Sequence, residues 1–180
     1  FKQKTAYEIM PSLVGSEMCI RDRFDKPNVL IQTPGKQSKD FKDSGYVWKS
    51  DLGDYSILSN TLFHADVMIN VASTITIESC LFDTPVVNIG FDANLDLDFN
   101  RSVKRHFQYS HYIDIVESKG VKIANSEKEL NEFINRYLND STLDSAGRNQ
   151  IVDNQCSFRD GKSSDRLLRY IIDFTKEYSV

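Results

Sequence analysis

The chain has 180 residues, the size of one domain or of one large domain with a small appendage. Apolar residues make up 40% of the sequence and aromatic residues 11%, which is enough to build a core and excludes a mainly disordered chain. The net charge of −4 argues against binding to duplex nucleic acid, because such proteins need a basic face that displaces counterions. We therefore expect a folded domain with no nucleic-acid partner.

Targeting and cross-linking features are absent from the sequence. No apolar run approaches the roughly 18–20 residues that a membrane-spanning helix needs, and no secretory leader is visible. Cys19, Cys80 and Cys156 stand far apart and form no CxxC pair, which disfavours a zinc site or a disulfide scaffold. We expect a cytoplasmic protein in which Cys80 belongs to the core.

The N-terminal segment differs in character from the rest of the chain. Residues 16–23, SEMCIRDR, resemble a translated transposon-end adapter used in DNA library preparation, and residues 10–15 often accompany that sequence. We therefore leave residues 1–23 out of the fold prediction. The expected native domain is residues 24–180, and the expectation includes a missing N-terminal part.

The first elements after this segment are short. Residues 29–32 are apolar and β-prone, which predicts a strand that ends at Thr33-Pro34-Gly35. Residues 35–45 are polar and indicate a loop, and residues 46–48 indicate a brief strand. A helix is predicted from Asp54, with Asp54 as its N-cap.

The clearest unit is a parallel βαβ crossover. Residues 67–71 and 85–90 are continuous apolar runs of strand length, as expected of strands buried on both faces. Between them lie a Ser-Thr turn and an apolar helix that extends to about residue 82. The spacing is close to the minimum for such a crossover.

Alternation of strands and helices continues to the end of the sequence. A strand is predicted at 121–124. The helix that follows it opens with a capping box of Ser126 and Glu129, and a further helix is predicted at 142–154. A terminal helix follows the turn at 160–161. Its predicted buried residues are Leu167, Ile171, Phe174 and Tyr178. The order predicts an α/β fold, namely a Rossmann-like open parallel sheet with helices on both faces.

The strongest candidate site lies between the two strands of the crossover. Ser73 and Thr74 follow a buried strand directly, at the sheet edge where open α/β folds bind ligands. Backbone N–H groups at a helix start and these hydroxyls are suited to phosphate, with Thr76 in the same run. Glu78, about one turn later, could accept hydrogen bonds from ribose. The plain alternative is that Ser73 caps the helix and Glu78 is solvated.

A basic stretch supplies further candidates. Arg101, Lys104 and Arg105 are interleaved with aromatic residues. This pattern suits the phosphates of a bound ligand, an anionic substrate or an anionic lipid surface, and the alternative is a solvated loop or short helix. Arg105 is its phosphate-binding candidate. His111 is the first candidate for a general base and His64 the second, because imidazole titrates near neutral pH. The alternative for His64 is that it only stabilises the C-terminus of the helix before Asp66.

The sequence motifs disfavour a metal site and other kinds of catalytic or nucleotide-binding site. Asp96-Leu97-Asp98 has the form of a DxD metal motif, and Asp92 precedes it, but the glycine and glutamate of a calcium loop are missing. We expect no metal site. No nucleophile elbow, dinucleotide-binding glycine motif or Walker loop is present.

Two stretches carry a family resemblance. Residues 65–87 resemble the donor-nucleotide region of GT-B glycosyltransferases and of envelope-polymer enzymes such as CDP-glycerol glycerophosphotransferases. Residues 158–166, FRDGKSSDR, are similar to the Asp-Gly-x-Ser/Ala-x-x-Arg segment of such enzymes. The resemblance implies that Ser73 and Thr74 meet the donor phosphates and Glu78 the ribose. The glycine-rich turn of many GT-B members is replaced here by Val71-Ala72-Ser73.

The resemblance implies one half of a GT-B fold, the donor-binding half of an envelope-polymer transferase. The expected reaction moves a sugar or glycerol phosphate from a UDP-, CDP- or GDP-linked donor to an acceptor hydroxyl, without a tightly bound cofactor. The expected partners are an N-terminal acceptor domain and the anionic inner face of the membrane. The alternatives are a nucleotide-sugar epimerase of the same fold and a non-catalytic module that binds a nucleotide or a partner.

Overall fold

The computed structural model describes residues 29–30, 32, 36–38, 47–92, 95 and 97–178. The adapter-like segment therefore lies outside the described residues. Contacts divide the chain into two compact units, Phe1–Ser59 and Asn60–Val180.

The first unit contains a two-stranded antiparallel sheet. Strand β1 (Lys36–Ser38) pairs with β2 (Val47–Lys49), so that Gln37 lies opposite Trp48. β2 confirms the brief strand predicted at 46–48. The loop prediction is wrong at β1, because pairing with β2 gives this polar segment the backbone hydrogen bonds that make it a strand. The strand prediction at 29–32 is also wrong for residues 29, 30 and 32, which are in no strand.

Helix α1 (Leu52–His64) begins two residues before the predicted start. Its first turn is closed by a reciprocal pair of aspartates: Asp51 Oδ1 accepts from the Asp54 N–H at 3.1 Å, and Asp54 Oδ2 accepts from the Asp51 N–H at 2.9 Å. This is a capping box in which Asp51 is the cap and Asp54 the third helical residue. The prediction that Asp54 is the N-cap is therefore wrong.

The second unit is built on a three-stranded parallel sheet in the order β3-β4-β5. The strands are β3 (Met68–Asn70), β4 (Val86–Ile89) and β5 (Lys122–Ala124), and α2 (Ile75–Leu81) is the crossover helix between β3 and β4. This arrangement confirms the predicted parallel βαβ unit. Strand β4 is buried along most of its length, as predicted. The same prediction is wrong for β3, whose Ile69 side chain is 43% exposed, because β3 lies at one edge of the described sheet.

The remaining elements follow the sheet in sequence. They are a 3-10 helix (Val103–Gln108), α3 (Ser110–Glu117), α4 (Glu127–Asn139), α5 (Ser145–Gln155) and α6 (Ser163–Tyr178). The Ser126 half of the predicted capping box at the start of α4 is confirmed, since Ser126 Oγ accepts from the Glu129 N–H at 3.2 Å, whereas the Glu129 side chain bonds one residue before the cap. The Glu129 carboxylate reaches back to the N–H of Asn125 at 2.8 Å. None of the described helices is long and apolar enough to cross a membrane.

The core lies on both faces of the sheet. Successive residues of a strand point to opposite faces, and Val86 and Val87 of β4 accordingly belong to two different apolar clusters. The cluster around Val86 contains residues of α2, α3 and α5, including Cys80, Ile115 and Ile151. The cluster around Val87 is covered by α4, and its buried residues also include Ala124 and Tyr137. Helices on both faces confirm the predicted Rossmann-like α/β class.

Cys80 is buried in the first cluster, as predicted. Burial raises the pKa of its thiol to about 12. A thiol with such a pKa is protonated at neutral pH, and Cys80 is therefore a packing residue rather than a nucleophile.

Arg148 is a charged residue with no exposed surface. Its Nε donates to Asp83 Oδ1 at 2.7 Å, and its two terminal nitrogens donate to the carbonyl oxygens of Leu143 and Ser141 at 2.7 and 2.8 Å. Ser145 Oγ donates to the same Asp83 carboxylate at 2.8 Å. The guanidinium thus ties the loop before α5 to the end of α2, and a buried charge is tolerated because its donors are satisfied.

Two glycines bring α5 against the end of α3. A methyl group at Gly120 would overlap the backbone of Gly147 and Arg148, and one at Gly147 would overlap the backbone of Gly120. The two segments touch backbone to backbone. No other residue type allows this approach.

The terminal helix α6 differs from its prediction in one respect. It forms where expected, and its apolar residues share one face of about 200°. The predicted burial of Leu167, Ile171 and Phe174 is wrong, however, because these side chains are 61%, 47% and 49% exposed. Amphipathic spacing shows which face of a helix is apolar but not which part of the chain covers it. The side chain of Tyr178 lies outside the described residues.

Replacing Arg148 with methionine should lower the free energy of unfolding by roughly 3 kcal/mol, because Asp83 and two carbonyl groups lose their buried donor. Urea unfolding followed by circular dichroism measures the change. Arg159→Met is the matched control, since Arg159 forms an exposed ion pair with Asp153. That variant should stay within about 0.5 kcal/mol of the unmodified protein. Equal losses in the two variants would contradict the role assigned to Arg148.

Asp144 should contribute a pH-dependent part of the stability. Partial burial raises its pKa, but hydrogen bonds from Lys122 and Tyr137 outweigh this and leave the pKa below its ordinary value. A lowered folded-state pKa gives stability that is complete above the ordinary carboxyl pKa of about 3.9 and is lost as the pH falls through the folded-state pKa. Asp144 has a positive φ of 62°, which asparagine tolerates.

Asp144→Asn should therefore lose less stability than the unmodified protein between about pH 5 and pH 3. Urea unfolding at stepped pH values measures this difference. Asp165→Asn, at an exposed position on α6, should leave the pH profile unchanged. A profile of Asp144→Asn that runs parallel to that of the unmodified protein would show that Asp144 is not a source of the acid sensitivity.

Candidate functional site

The carboxyl ends of the three parallel strands meet at one edge of the sheet, which is where open α/β sheets bind ligands. β3 is followed by a turn of residues 71–74, β4 by Gly90 and Asp92, and β5 by Asn125. Ser73 and Thr74 therefore lie at this edge, as the sequence predicts.

The turn between β3 and α2 presents two exposed hydroxyl-bearing residues. Ser73 and Thr74 are both exposed, and Thr74 is the N-cap residue of α2 but makes no side-chain capping bond. Helix α2 has only seven residues, so its dipole is small and recognition has to depend on hydroxyls and backbone N–H groups. Glu78 is half-buried on α2, one turn from Thr74, whose carbonyl accepts its N–H at 3.2 Å.

Thr76 has a different environment from its neighbours in the turn. It has no exposed surface, and its Oγ1 lies 3.0 Å from the hydroxyl of Tyr112 and 3.2 Å from Asn70 Nδ2. Asn88 Nδ2 donates to the same Tyr112 hydroxyl at 2.9 Å. The structure therefore places Thr76 in a buried polar network, behind the turn rather than on its surface.

Tyr112 and Asn88 are residues that sequence reasoning missed. Burial raises the pKa of the Tyr112 phenol, although its hydrogen bonds with Thr76 and Asn88 partly offset this, so Tyr112 is neutral in the physiological range. A signal for Asn88 was available: an amide inside the apolar run of residues 85–90 needs a buried partner. Tyr112 is one of the aromatic residues interleaved in the basic stretch, but no sequence pattern connects it to Asn88, which is 24 residues away.

The basic stretch begins with a capped 3-10 helix. Asp92 Oδ2 accepts from Ser102 Oγ at 2.5 Å and Asp92 Oδ1 from the Val103 N–H at 2.8 Å. These two hydrogen bonds lower the pKa of Asp92, which keeps it charged. Asp92 thus fixes the start of the segment that carries Lys104 and Arg105.

Arg105 and the histidines occupy separate places. Arg105 Nη1 donates to the carbonyl of Asn100, while its buried Nε has no hydrogen-bond partner among the described residues. His111 is exposed in α3, the helix that also carries Tyr112. His64 ends α1, before β3, and so lies toward the amino ends of the strands, away from Ser73. The structure places His111 and the turn on elements that share the network, and it separates His64 from both.

The loop that carries Asp92, Asp96 and Asp98 forms structural hydrogen bonds at the residues that are described. Asp92 caps the 3-10 helix, and Asp98 Oδ1 accepts from the Asn100 N–H at 3.0 Å. Asp96 lies outside the described residues. Among the residues that the structure describes, no group of three or more His, Cys, Asp or Glu side chains could hold a metal ion.

The family is decided by a comparison with known proteins. A family model described as CDP-Glycerol:Poly(glycerophosphate) glycerophosphotransferase matches residues 28–173. The chain belongs to this family. Searches of curated proteins and of solved structures gave no match.

Membership of the glycerophosphotransferase family confirms the predicted class of envelope-polymer transferase. The matched region includes the whole parallel sheet, the turn after β3 and the basic stretch. It also includes both stretches that carry the resemblance, at 65–87 and 158–166. The roles of individual residues and the GT-B architecture stay predictions.

Replacing Asp92 with alanine removes the carboxylate that accepts from Ser102 Oγ and from the Val103 N–H at the start of the 3-10 helix. We expect the segment to open more often, so that trypsin cuts after Lys104 and Arg105 several-fold faster. Limited digestion with mass-spectrometric identification of the fragments measures the rate. Asp114→Ala, at an exposed position of α3, is the matched control and should not change it. Cleavage that is equally fast in both variants would contradict the capping role.

Proposed function

We propose that the chain binds a CDP-activated glycerol donor and takes part in transferring glycerol phosphate to a hydroxyl of a glycerophosphate polymer. The family match over residues 28–173 carries this proposal, since the family is described by that donor, that polymer and that transfer. It favours glycerol phosphate over the sugar that the resemblance left open, and CDP over UDP and GDP.

The donor diphosphate is assigned to the edge of the sheet after β3. Ser73 and Thr74 expose hydroxyls there, and Arg105 is a cation on the segment that follows β4. Hydroxyl and guanidinium donors suit phosphate oxygens, and charge-assisted hydrogen bonds are the stronger kind. Glu78 is assigned to the ribose, whose hydroxyls can donate to a carboxylate.

The transfer is a displacement at phosphorus. The acceptor oxygen forms a bond to the phosphorus of the glycerol phosphate, and the bond from that phosphorus to the bridging oxygen breaks, so that CMP leaves with the electron pair. The proton of the acceptor hydroxyl passes to a general base, for which His111 is the candidate. Hydrogen-bond donors on the side chains of Ser73, Thr74 and Arg105 stabilise the charge that develops on the leaving phosphate.

The proposal also includes an N-terminal acceptor domain and contact with the cytoplasmic face of the membrane. The resemblance at 65–87 supports a GT-B arrangement, in which this chain supplies the donor-binding half and an N-terminal domain supplies the acceptor site. The segment of residues 101–112 contains three Lys or Arg residues and no Asp or Glu, in a chain with a net charge of −4. Such a segment supports contact with phosphates of the acceptor polymer or of the cytoplasmic membrane face.

Titration calorimetry of the chain with CDP, UDP, GDP and ADP tests the proposal that it binds a CDP-linked donor. CDP should bind with a Kd of about 1 μM and the other nucleotides at least about tenfold more weakly. The double variant Ser73→Ala/Thr74→Val should lose about tenfold or more in CDP affinity, because the phosphates lose two hydrogen-bond donors.

Ser157→Ala/Ser164→Ala serves as the matched control for loss of two exposed hydroxyls, and its affinity for CDP should be unchanged. Stronger binding of UDP or GDP than of CDP would overturn the donor assignment in favour of a nucleotide sugar. No binding of any nucleotide by the folded chain would overturn the proposal that this chain holds the donor.

A further inference from the structure

The hydroxyl of Tyr112 joins three elements behind the candidate site. It lies 3.0 Å from Thr76 Oγ1 on α2 and accepts from Asn88 Nδ2 on β4 at 2.9 Å, and the backbone N–H of Thr76 donates to the carbonyl oxygen of Ser73 in the turn at 3.1 Å. Thr76 Oγ1 lies 3.3 Å from Oδ1 of Asn70, the last residue of β3. The network thus contacts the end of β3, the turn, α2 and the central strand.

The hydrogen bonds fit a single direction. Asn88 Nδ2 has only protons to give, so the Tyr112 oxygen accepts from it, and the phenolic proton is left for Thr76 Oγ1. The hydroxyl proton of Thr76 then has two acceptors within reach, Asn70 Oδ1 at 3.3 Å and Asn88 Oδ1 at 3.4 Å. Each hydroxyl in this relay both accepts and donates, and polar chains of this kind in a low-dielectric interior are rigid.

We propose that Tyr112 is a positioning residue, which fixes the turn of Ser73 and Thr74 relative to helix α3 and its residue His111. This inference rests on the proposed function for its catalytic meaning. Ser73 and Thr74 are exposed, so apolar packing does not hold their hydroxyls in place. Thr76 connects the turn to Tyr112, because its backbone N–H bonds to the Ser73 carbonyl and its hydroxyl lies next to the Tyr112 hydroxyl. Helix α3 carries Tyr112 and His111 side by side in sequence.

A purely structural role would give a different result, and the chain offers a matched control for it. Tyr137 is a second buried tyrosine, whose hydroxyl donates to Asp144 Oδ2 at 2.8 Å in the cluster on the other face of the sheet. Tyr112→Phe and Tyr137→Phe each remove one buried oxygen. Both variants lose stability, but only the first removes the restraint on the turn.

The experiment measures CDP affinity by calorimetry and amide exchange of residues 71–76 by mass spectrometry, for the unmodified chain and both variants. Tyr112→Phe should weaken CDP binding about tenfold and speed exchange of the turn about tenfold. Tyr137→Phe should stay within about twofold of the unmodified chain on both readouts. Equal behaviour of the two variants would overturn the positioning role.

A second pair of variants guards against a general loss of folding. Thr76→Val removes the hydroxyl at nearly constant shape, and Thr76→Ser keeps it. Fast exchange of the turn in the valine variant with recovery in the serine variant supports the relay, and identical exchange in both overturns it. If the unmodified chain binds no CDP, the proposed function fails, and the exchange data alone still decide whether Tyr112 restrains the turn.

Discussion

A primary amide in the middle of the central strand constrains the rest of the second unit. Asn88 has no exposed surface, and a buried amide group without a hydrogen-bond partner costs about 1–3 kcal/mol of stability. Its Nδ2 group has the Tyr112 hydroxyl as its partner, and Thr76 lies next to both. Helices α2 and α3 must therefore pack on this face of β4 with Thr76 and Tyr112 turned toward the strand. Apolar packing alone would allow either helix to slide along the sheet.

The parts of the fold that sequence reasoning recovered are those in which local pattern and burial agree. The runs at 67–71 and 85–90 are each apolar apart from one asparagine, clusters on both faces cover the central strand, and the crossover between the two runs has few alternatives. Strand β1 could not be recovered in this way. Its sequence, Lys-Gln-Ser, has no apolar pattern, and it is a strand only because β2 lies beside it. The choice between Asp51 and Asp54 as the N-cap could not be predicted either. Each can cap a helix, and only the residue at which the backbone becomes helical distinguishes them.

The candidate site also has residues that could be placed from the sequence and residues that could not. Ser73 and Thr74 could be placed from the sequence, because a strand followed at once by a Ser-Thr turn and a helix puts those residues at the edge of a parallel sheet. The different position of Thr76 could not be derived, although it is only two residues further on. Its burial depends on Asn88 and Tyr112, which lie 12 and 36 residues away. Periodicity describes one element at a time, whereas a polar network depends on the distances between elements.

The contact between Gly120 and Gly147 has a consequence for how the family can vary. Most packing contacts tolerate change because a larger side chain on one partner can be matched by a smaller one on the other. Here neither partner has a side chain, and the contact joins backbone to backbone. A methyl group at either position cannot be accommodated by any replacement at the other, since nothing remains to be shortened. The two positions are thus closed to compensatory evolution, and the spacing between the end of α3 and the start of α5 can change only if both segments move.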